Sequence, residues 1–402
     1  MSKRFVVVCL CNFLFAALLG LTLRYTHINA LPINYRYLTH AHSHVAMLGW
    51  VYLMLYSLIV HYFIPEKKPV FNRLFWVTEI AVVGMLLSFP FQGYAAVSIT
   101  FSTLHILCSY YFAFLVWKHH KIKNKPSRVL LKAAIIFMLI STLGVWCLGP
   151  AVTMAGQASA FYQIAIQFFL HFQFNGWFVF AVIALFFNRL AICDSKEFHW
   201  FFKLFIAATI LTMALPVYWF APHILLLWIN GIGVVLQFLV IFFFFKIIRS
   251  YEWLDLINRS KLNKILYQFA VFCFTLKIVF QSVSLIPAIS KELYSYHNFV
   301  IGFIHLIMLG AVTGFLFSFI IESGLVRFNK ILQFAIYIFL LGFVLTEMTL
   351  LVQGSRFYFN QGLLPGYFTL LFVFSIFLTL GIFLLLINII STKNLTTKTR
   401  FL

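Results

Sequence analysis

Twelve runs of roughly 20 mostly apolar residues follow one another along this chain, separated by short polar links. Each is long enough to cross the hydrocarbon core of a bilayer as a helix. In lipid every backbone N–H and C=O must find a partner within the protein, and the alternating pattern of barrel strands is absent. The expected fold class is therefore all-α, a polytopic membrane bundle of twelve helices. The expected spans are about 5–23, 41–64, 72–93, 96–117, 129–151, 160–187, 200–220, 224–246, 263–286, 296–321, 328–350 and 366–391. The longest polar piece, 119–128, is a short basic loop with no room for a soluble domain. The expectation is one transmembrane domain over 1–402.

Composition agrees: 63% of residues are hydrophobic and 9% charged, with 52 Phe, a balance that excludes soluble-domain chemistry. The net charge of +20 does not imply nucleic acid, because the cations sit in short loops, where they set membrane orientation. The N-terminus, the even-to-odd loops and the C-terminus carry 24 of the 29 Lys and Arg, among them Lys67, Lys68, Lys121, Arg249 and Arg259. The opposite loops carry Arg24, Arg36, Lys291 and Arg356, and Lys277 lies within a span. Both termini are therefore expected on the cytoplasmic side of a bacterial-type inner membrane. The first run follows Lys3-Arg4, yet no small-residue cleavage site is evident and further spans follow at once, so it reads as a span and not a signal peptide. The six cysteines lie mostly in apolar runs and form no CxxC pair or zinc pattern, so they read as packing residues.

The chemistry-bearing residues are histidines. His40-Ala-His42-Ser-His44 leads into span 2, and nine of the thirteen histidines fall in the half of the bundle away from the basic loops. His40 and His44 share a helix face, and His42 points largely away. In span 6, Gln163, Gln167, His171 and Asn175 form a row at every fourth position, a polar stripe that must face other helices or a cavity. In span 10, His297 and His305 stand about 12 Å apart along the axis, too far to share one metal. Gly310 and Gly314 on the same helix let another backbone approach closely. Scattered interfacial histidines would explain any one of these. The set, drawn from several helices at compatible depth, reads as a shared site for metal or haem. Neutral imidazoles from two helices suit the axial positions of haem b, and Arg356, in the 353–356 loop, or Arg36, before span 2, suits a propionate. Glu79, Lys277 and Glu347 are intramembrane charges, read either as a proton path or as a Lys–Glu pair holding helices together. No Walker loop, G-x-S-x-G, H-E-x-x-H or C-x-x-C-H is present, and no internal repeat is convincing.

Twelve spans with histidines in the outer halves of spans 2, 6 and 10 resemble the catalytic subunit of the haem-copper oxidase superfamily, which includes the bacterial nitric oxide reductases. The run from His42 to Trp50 is similar to the histidine-led second helix of that family, and His171 stands where its span 6 metal ligand stands. The resemblance implies a low-spin haem b between His42 or His44 and His297 or His305. It also implies a copper or non-haem iron near His171, and Arg356 at a propionate. The metal-site residues it implies are thus His42, His44, His171, His297 and His305. Departures imply an incomplete binuclear site: span 7 has no adjacent histidine pair, His297 and His305 are eight apart rather than two, and Asn175 replaces a tyrosine found in one oxidase branch. The pattern also resembles a twelve-span family of haem- and copper-containing proteins associated with nitric oxide stress.

Three functions follow as expectations. The first is a membrane haem protein that transfers electrons or handles nitric oxide or oxygen, an oxidoreductase served by an electron-donor protein or a partner membrane subunit. The second is a transporter or assembly factor for haem or metal ions. The third is a membrane scaffold with structural histidines.

Overall fold

All twelve apolar runs are helices: α1 (Lys3–Tyr25), α2 (Tyr35–Phe63), α3 (Pro69–Gln92), α4 (Ala96–His119), α5 (Lys125–Ala155), α6 (Ala160–Arg189), α7 (Lys196–Tyr218), α8 (Ile224–Arg249), α9 (Lys261–Leu285), α10 (His297–Glu322), α11 (Lys330–Tyr358) and α12 (Tyr367–Ser391). The computed structural model describes residues 1–66, 68–249 and 260–392, with the backbone alone of Lys291. Lys67 and Arg259 of the basic loops, and everything from 393 onward, lie outside the described residues. Among the described residues there is no strand. Large apolar side chains point outward along the helices, including Phe91 (83% exposed), Trp228 and Phe272. Such a surface would aggregate in water and is at home in hydrocarbon. The protein is a multi-pass membrane bundle.

Polar caps fix where several helices begin. The side chains of Asn34, Asn124, Ser159, Ser195, Ser260 and Asn329 each accept a hydrogen bond from the backbone N–H three residues on. Two expected boundaries move for local reasons. α2 starts at Tyr35 rather than near 41, because the Asn34 cap starts a helix through the polar stretch that hydropathy excludes. All three leading histidines therefore lie on the helix. Arg356 is not in a loop as expected. α11 continues through Gly354 and Ser355, which read as breakers, and ends only after Tyr358, where the Arg356 Nη2 donates to the Gln361 carbonyl at 2.7 Å.

The chain divides into two compact units. One comprises Met1–His61, Lys67–Phe112 and Leu316–Leu402, and the other Tyr62–Glu66 and Ala113–Phe315. In the first, Phe13 stacks on Trp50 (centroids 4.5 Å apart), and Phe317 and Phe339 close around them. α11 and α12 approach backbone to backbone at Gly342 and Gly381. In the second, Phe180 stacks on Phe205 at 4.0 Å, and Phe186 meets Phe315 at 5.1 Å. Gly144 seats α5 on α6, and Gly314 seats α10 on Ala270 of α9, the close approach expected of that glycine pair. Among the described residues no disulfide joins the six cysteines.

A polar clasp ties the link after α6 to the start of α5. Lys125 donates to Asp194, which also meets His199 Nε2 at 3.3 Å, and Asn124 donates to the Ile192 carbonyl at 2.6 Å. The Lys125 hydrogen bond holds the Asp194 carboxyl below its ordinary value of 3.8. A depressed folded-state value contributes stability above the ordinary value, and that contribution is lost as pH falls through the folded value. The pair is exposed, so the effect is small. Asp194→Asn is expected to lower thermal stability slightly at neutral pH, and the difference between the two proteins is expected to shrink as pH falls below the ordinary carboxylate value; melting curves of both proteins across that range check this.

Candidate functional site: three histidines where α-helix turns to π-helix

α2, α6 and α10 each change from α to π geometry partway along, and in each the change falls immediately after a histidine. The π segments are Val45–Tyr52 after His44, Phe172–Phe178 after His171 and Leu306–Val312 after His305. Five residues past each histidine stands a glycine, in His44-Val-Ala-Met-Leu-Gly49-Trp50, His171-Phe-Gln-Phe-Asn-Gly176-Trp177 and His305-Leu-Ile-Met-Leu-Gly310-Ala311. A π turn widens the helix and misaligns its carbonyls, so it persists only where neighbours compensate, and such turns are frequent at functional sites. The compensation is visible at each. In α2, Asn12 Nδ2 donates to the Gly49 carbonyl at 3.2 Å, and Gly49 leaves room for Asn12 and Val82. In α6, Ser141 donates to Gln173 Oε1 at 3.0 Å, and Gly176 admits the Phe137 ring. In α10, Thr313 Oγ1 donates to the Met308 carbonyl at 2.7 Å. Trp50 and Trp177 are fully buried beside their glycines. The same His-x4-Gly spacing stands at all three junctions, and it also occurs at His297 and Gly302, where α10 keeps α geometry.

In the first unit, His42 and His44 leave opposite sides of α2, as their spacing predicts. His42 Nδ1 lies 2.8 Å from the Ala16 carbonyl, with the ring over Gly20 of α1. His44 Nδ1 lies 2.8 Å from the His40 carbonyl, its Nε2 is 3.1 Å from the Tyr94 hydroxyl, and its ring packs on Phe89. A carbonyl can only accept, so both rings carry their proton on Nδ1 and keep the Nε2 lone pair. His105 of α4 joins this group. It is 3% exposed, within electrostatic reach of His44 and edge-on to Tyr52 at 4.6 Å, and its Nε2 has no hydrogen-bond partner among the described residues.

In the second unit, His171 is buried with Nε2 2.7 Å from the Thr209 carbonyl of α7, so its proton is on Nε2. Its Nδ1 faces the Asn175 amide at 3.5 Å. The π segments of α6 and α10 pack against each other. His305 is half-buried at its junction, and His297 is the exposed first residue of α10, its ring 6.2 Å from Tyr294. The histidines of α2 belong to one unit, and His171, His297 and His305 to the other. Arg356, in the first unit, is half-buried, and its Nε has no partner among the described residues. No three His, Cys, Asp or Glu side chains gather as a metal-binding group among the described residues.

Sequence reasoning singled out α2, α6 and α10, the helices that carry the π segments, but missed Asn12, which braces the α2 π segment, and Tyr94 and Thr209, which meet His44 and His171. Nothing in their local sequence marks them, since each acts across a helix interface. No protein-family model matches the chain, and no curated protein matches it.

Proposed function

We propose that this chain is an integral membrane haem-binding protein of oxidoreductase type, built on the plan of the haem-copper oxidase and nitric oxide reductase catalytic subunits. The observation that carries the reading is the repeated junction: three histidines, on α2, α6 and α10, each set where the helix widens. The donor set fits an imidazole-ligated group. On α2, each candidate ring is pinned through Nδ1 to a backbone carbonyl, which fixes the tautomer and leaves Nε2 as ligand, the usual orientation of metal-bound histidine. Tyr94, which caps the Nε2 of His44, is 47% exposed. The buried, unpartnered Nε–H of Arg356 suits a propionate.

On α2, His44 or His42 would be a ligand of haem b, and on α10 the candidate ligand is His305 or His297. Equivalence of the junctions favours His44 and His305, and Arg356 would meet a carboxylate of the ring. His171, with Nδ1 as its remaining acceptor, would line a copper, non-haem iron or gas site. Bound haem supplies one-electron transfer and an iron that takes nitric oxide or oxygen. The chain orients the imidazoles, excludes water with its Phe-rich walls and, at Thr209 and His40, holds the ring protons on backbone carbonyls. The test is mutational. His44→Ala and His305→Ala are each expected to abolish the sharp reduced α band of a low-spin haem while the protein still purifies as a monodisperse species. Full retention of that band in both variants rejects the assignment. Bound metal ions without haem would point to the transport reading.

A further inference from the structure

Lys277 of α9 is 6% exposed and makes no ion pair or hydrogen bond among the described residues. Its surroundings are polar without being acidic. α8 and α9 are joined near one end, where Asn230 Nδ2 donates to Ser284 Oγ at 2.9 Å. Seven residues along α8 from Asn230 is Gln237, and seven residues back along α9 from Ser284 is Lys277. Seven residues are two turns, about 10.5 Å on one face, so Gln237 and Lys277 stand at one level along the seam, with Gln281 one turn nearer its end. The side-chain oxygens of Asn230, Gln237 and Gln281 are all buried without a hydrogen-bond partner among the described residues.

The helices packed around α9 bring no carboxylate to this level. α6 supplies His171, which feels Lys277 electrostatically, and α10 supplies His305 just before its packed π segment. The charges of α7 (Lys196, Glu197, Lys203) and α8 (Lys246, Arg249) lie at the far ends of those helices. Three orphaned acceptors and one orphaned ammonium narrow the occupant. An anion would satisfy the ammonium and leave the oxygens bare, whereas a metal cation would suit the oxygens and be repelled by the lysine. Water donates to the oxygens and accepts from the ammonium, and buried water is the ordinary partner of such groups.

We propose that the α8–α9 seam holds a chain of waters that gives protons access to Lys277 from the Asn230–Ser284 end, opposite the basic end marked by Lys246, Arg249, Lys261 and Lys264. An intramembrane amine joined to bulk water exchanges protons with it. This inference rests on none of the haem assignments above.

Two measurements on the full chain in lipid nanodiscs test it. Gln237→Cys and Gln281→Cys are exposed to Ag⁺, an ion about the size of water, then denatured, alkylated and read by peptide mass spectrometry. Ag⁺ is expected to cut alkylation severalfold at both positions and to leave Phe272→Cys, in lipid, and Phe274→Cys, in the dry core, unchanged. Equal protection at all four, or at none, overturns the hydrated seam. In wild-type protein labelled at lysine ¹⁵Nζ, the resonance missing from Lys277→Met is expected to show the deuterium isotope shift within minutes of transfer into D₂O. A resonance that stays unshifted for hours overturns proton access, even if both cysteine variants fail to fold. Lys277→Met itself removes a buried unpaired charge and is expected to fold.

Discussion

Gly144→Leu will prevent α5 and α6 from packing. A Cβ at Gly144 would collide with the Ala165 carbonyl oxygen and stand 2.9 Å from the Phe169 backbone nitrogen. These are backbone atoms of the neighbouring helix, so no side-chain rotation relieves the clash, and α6 must retreat along the stretch that carries His171. Overpacking of this kind costs about 3 kcal/mol or more. In detergent the apparent Tm should fall by more than about 5 °C, and the π segment at Phe172–Phe178 should lose the Phe137 and Ser141 contacts that hold it. Gly149, on the same helix, has nothing within 4 Å of a built Cβ. Gly149→Ala should therefore be neutral or stabilise by up to about 1 kcal/mol, through helix propensity alone. Similar losses for both variants would show that the glycines matter through backbone conformation and not through close approach.

Asn12→Leu is expected to cost about 3 kcal/mol, because one amide serves two needs. Its Nδ2 donates to the Gly49 carbonyl, displaced by the π turn, and to Glu79 Oε2 at 2.7 Å. Asn12 is 3% exposed, so water does not easily replace the lost donor. Leucine leaves both acceptors bare in an apolar setting. If Glu79 is the larger liability, Glu79→Leu in the Asn12→Leu background should recover part of the loss, and a double-mutant cycle measures how much of the coupling is the Asn12–Glu79 bond. Strict additivity of the two substitutions in thermal unfolding would contradict the shared role.

Helix number and class were legible because lipid enforces a simple rule, about 20 apolar residues per crossing, and the chain obeys it twelve times. The opposite placement of His42 and His44 was legible from helical geometry alone. The start of α2 was not, because hydropathy cannot see a helix whose first turns are polar and capped by Asn34. Arg356 was misplaced for the converse reason: Gly354 and Ser355 resemble a break, yet intrahelical bonds carry α11 past them. The π segments were hidden because a wide turn is chosen by tertiary partners such as Asn12 and Ser141, which lie far away in the chain. The His-x4-Gly spacing at His44, His171 and His305 does not mark them in the sequence, because His297 and Gly302 share it in plain α-helix. Lys277 was noticed as an intramembrane charge, and its lack of a carboxylate partner emerged only from packing.

The central claim, that histidines at the helix transitions grip a prosthetic group, is tested most directly by the visible absorption spectrum of the purified wild-type protein before and after dithionite. The account predicts a Soret band that sharpens and shifts on reduction, with resolved α and β bands at a stoichiometry of at least one haem per chain. A well-folded, colourless protein, isolated from cells supplied with haem, would contradict it.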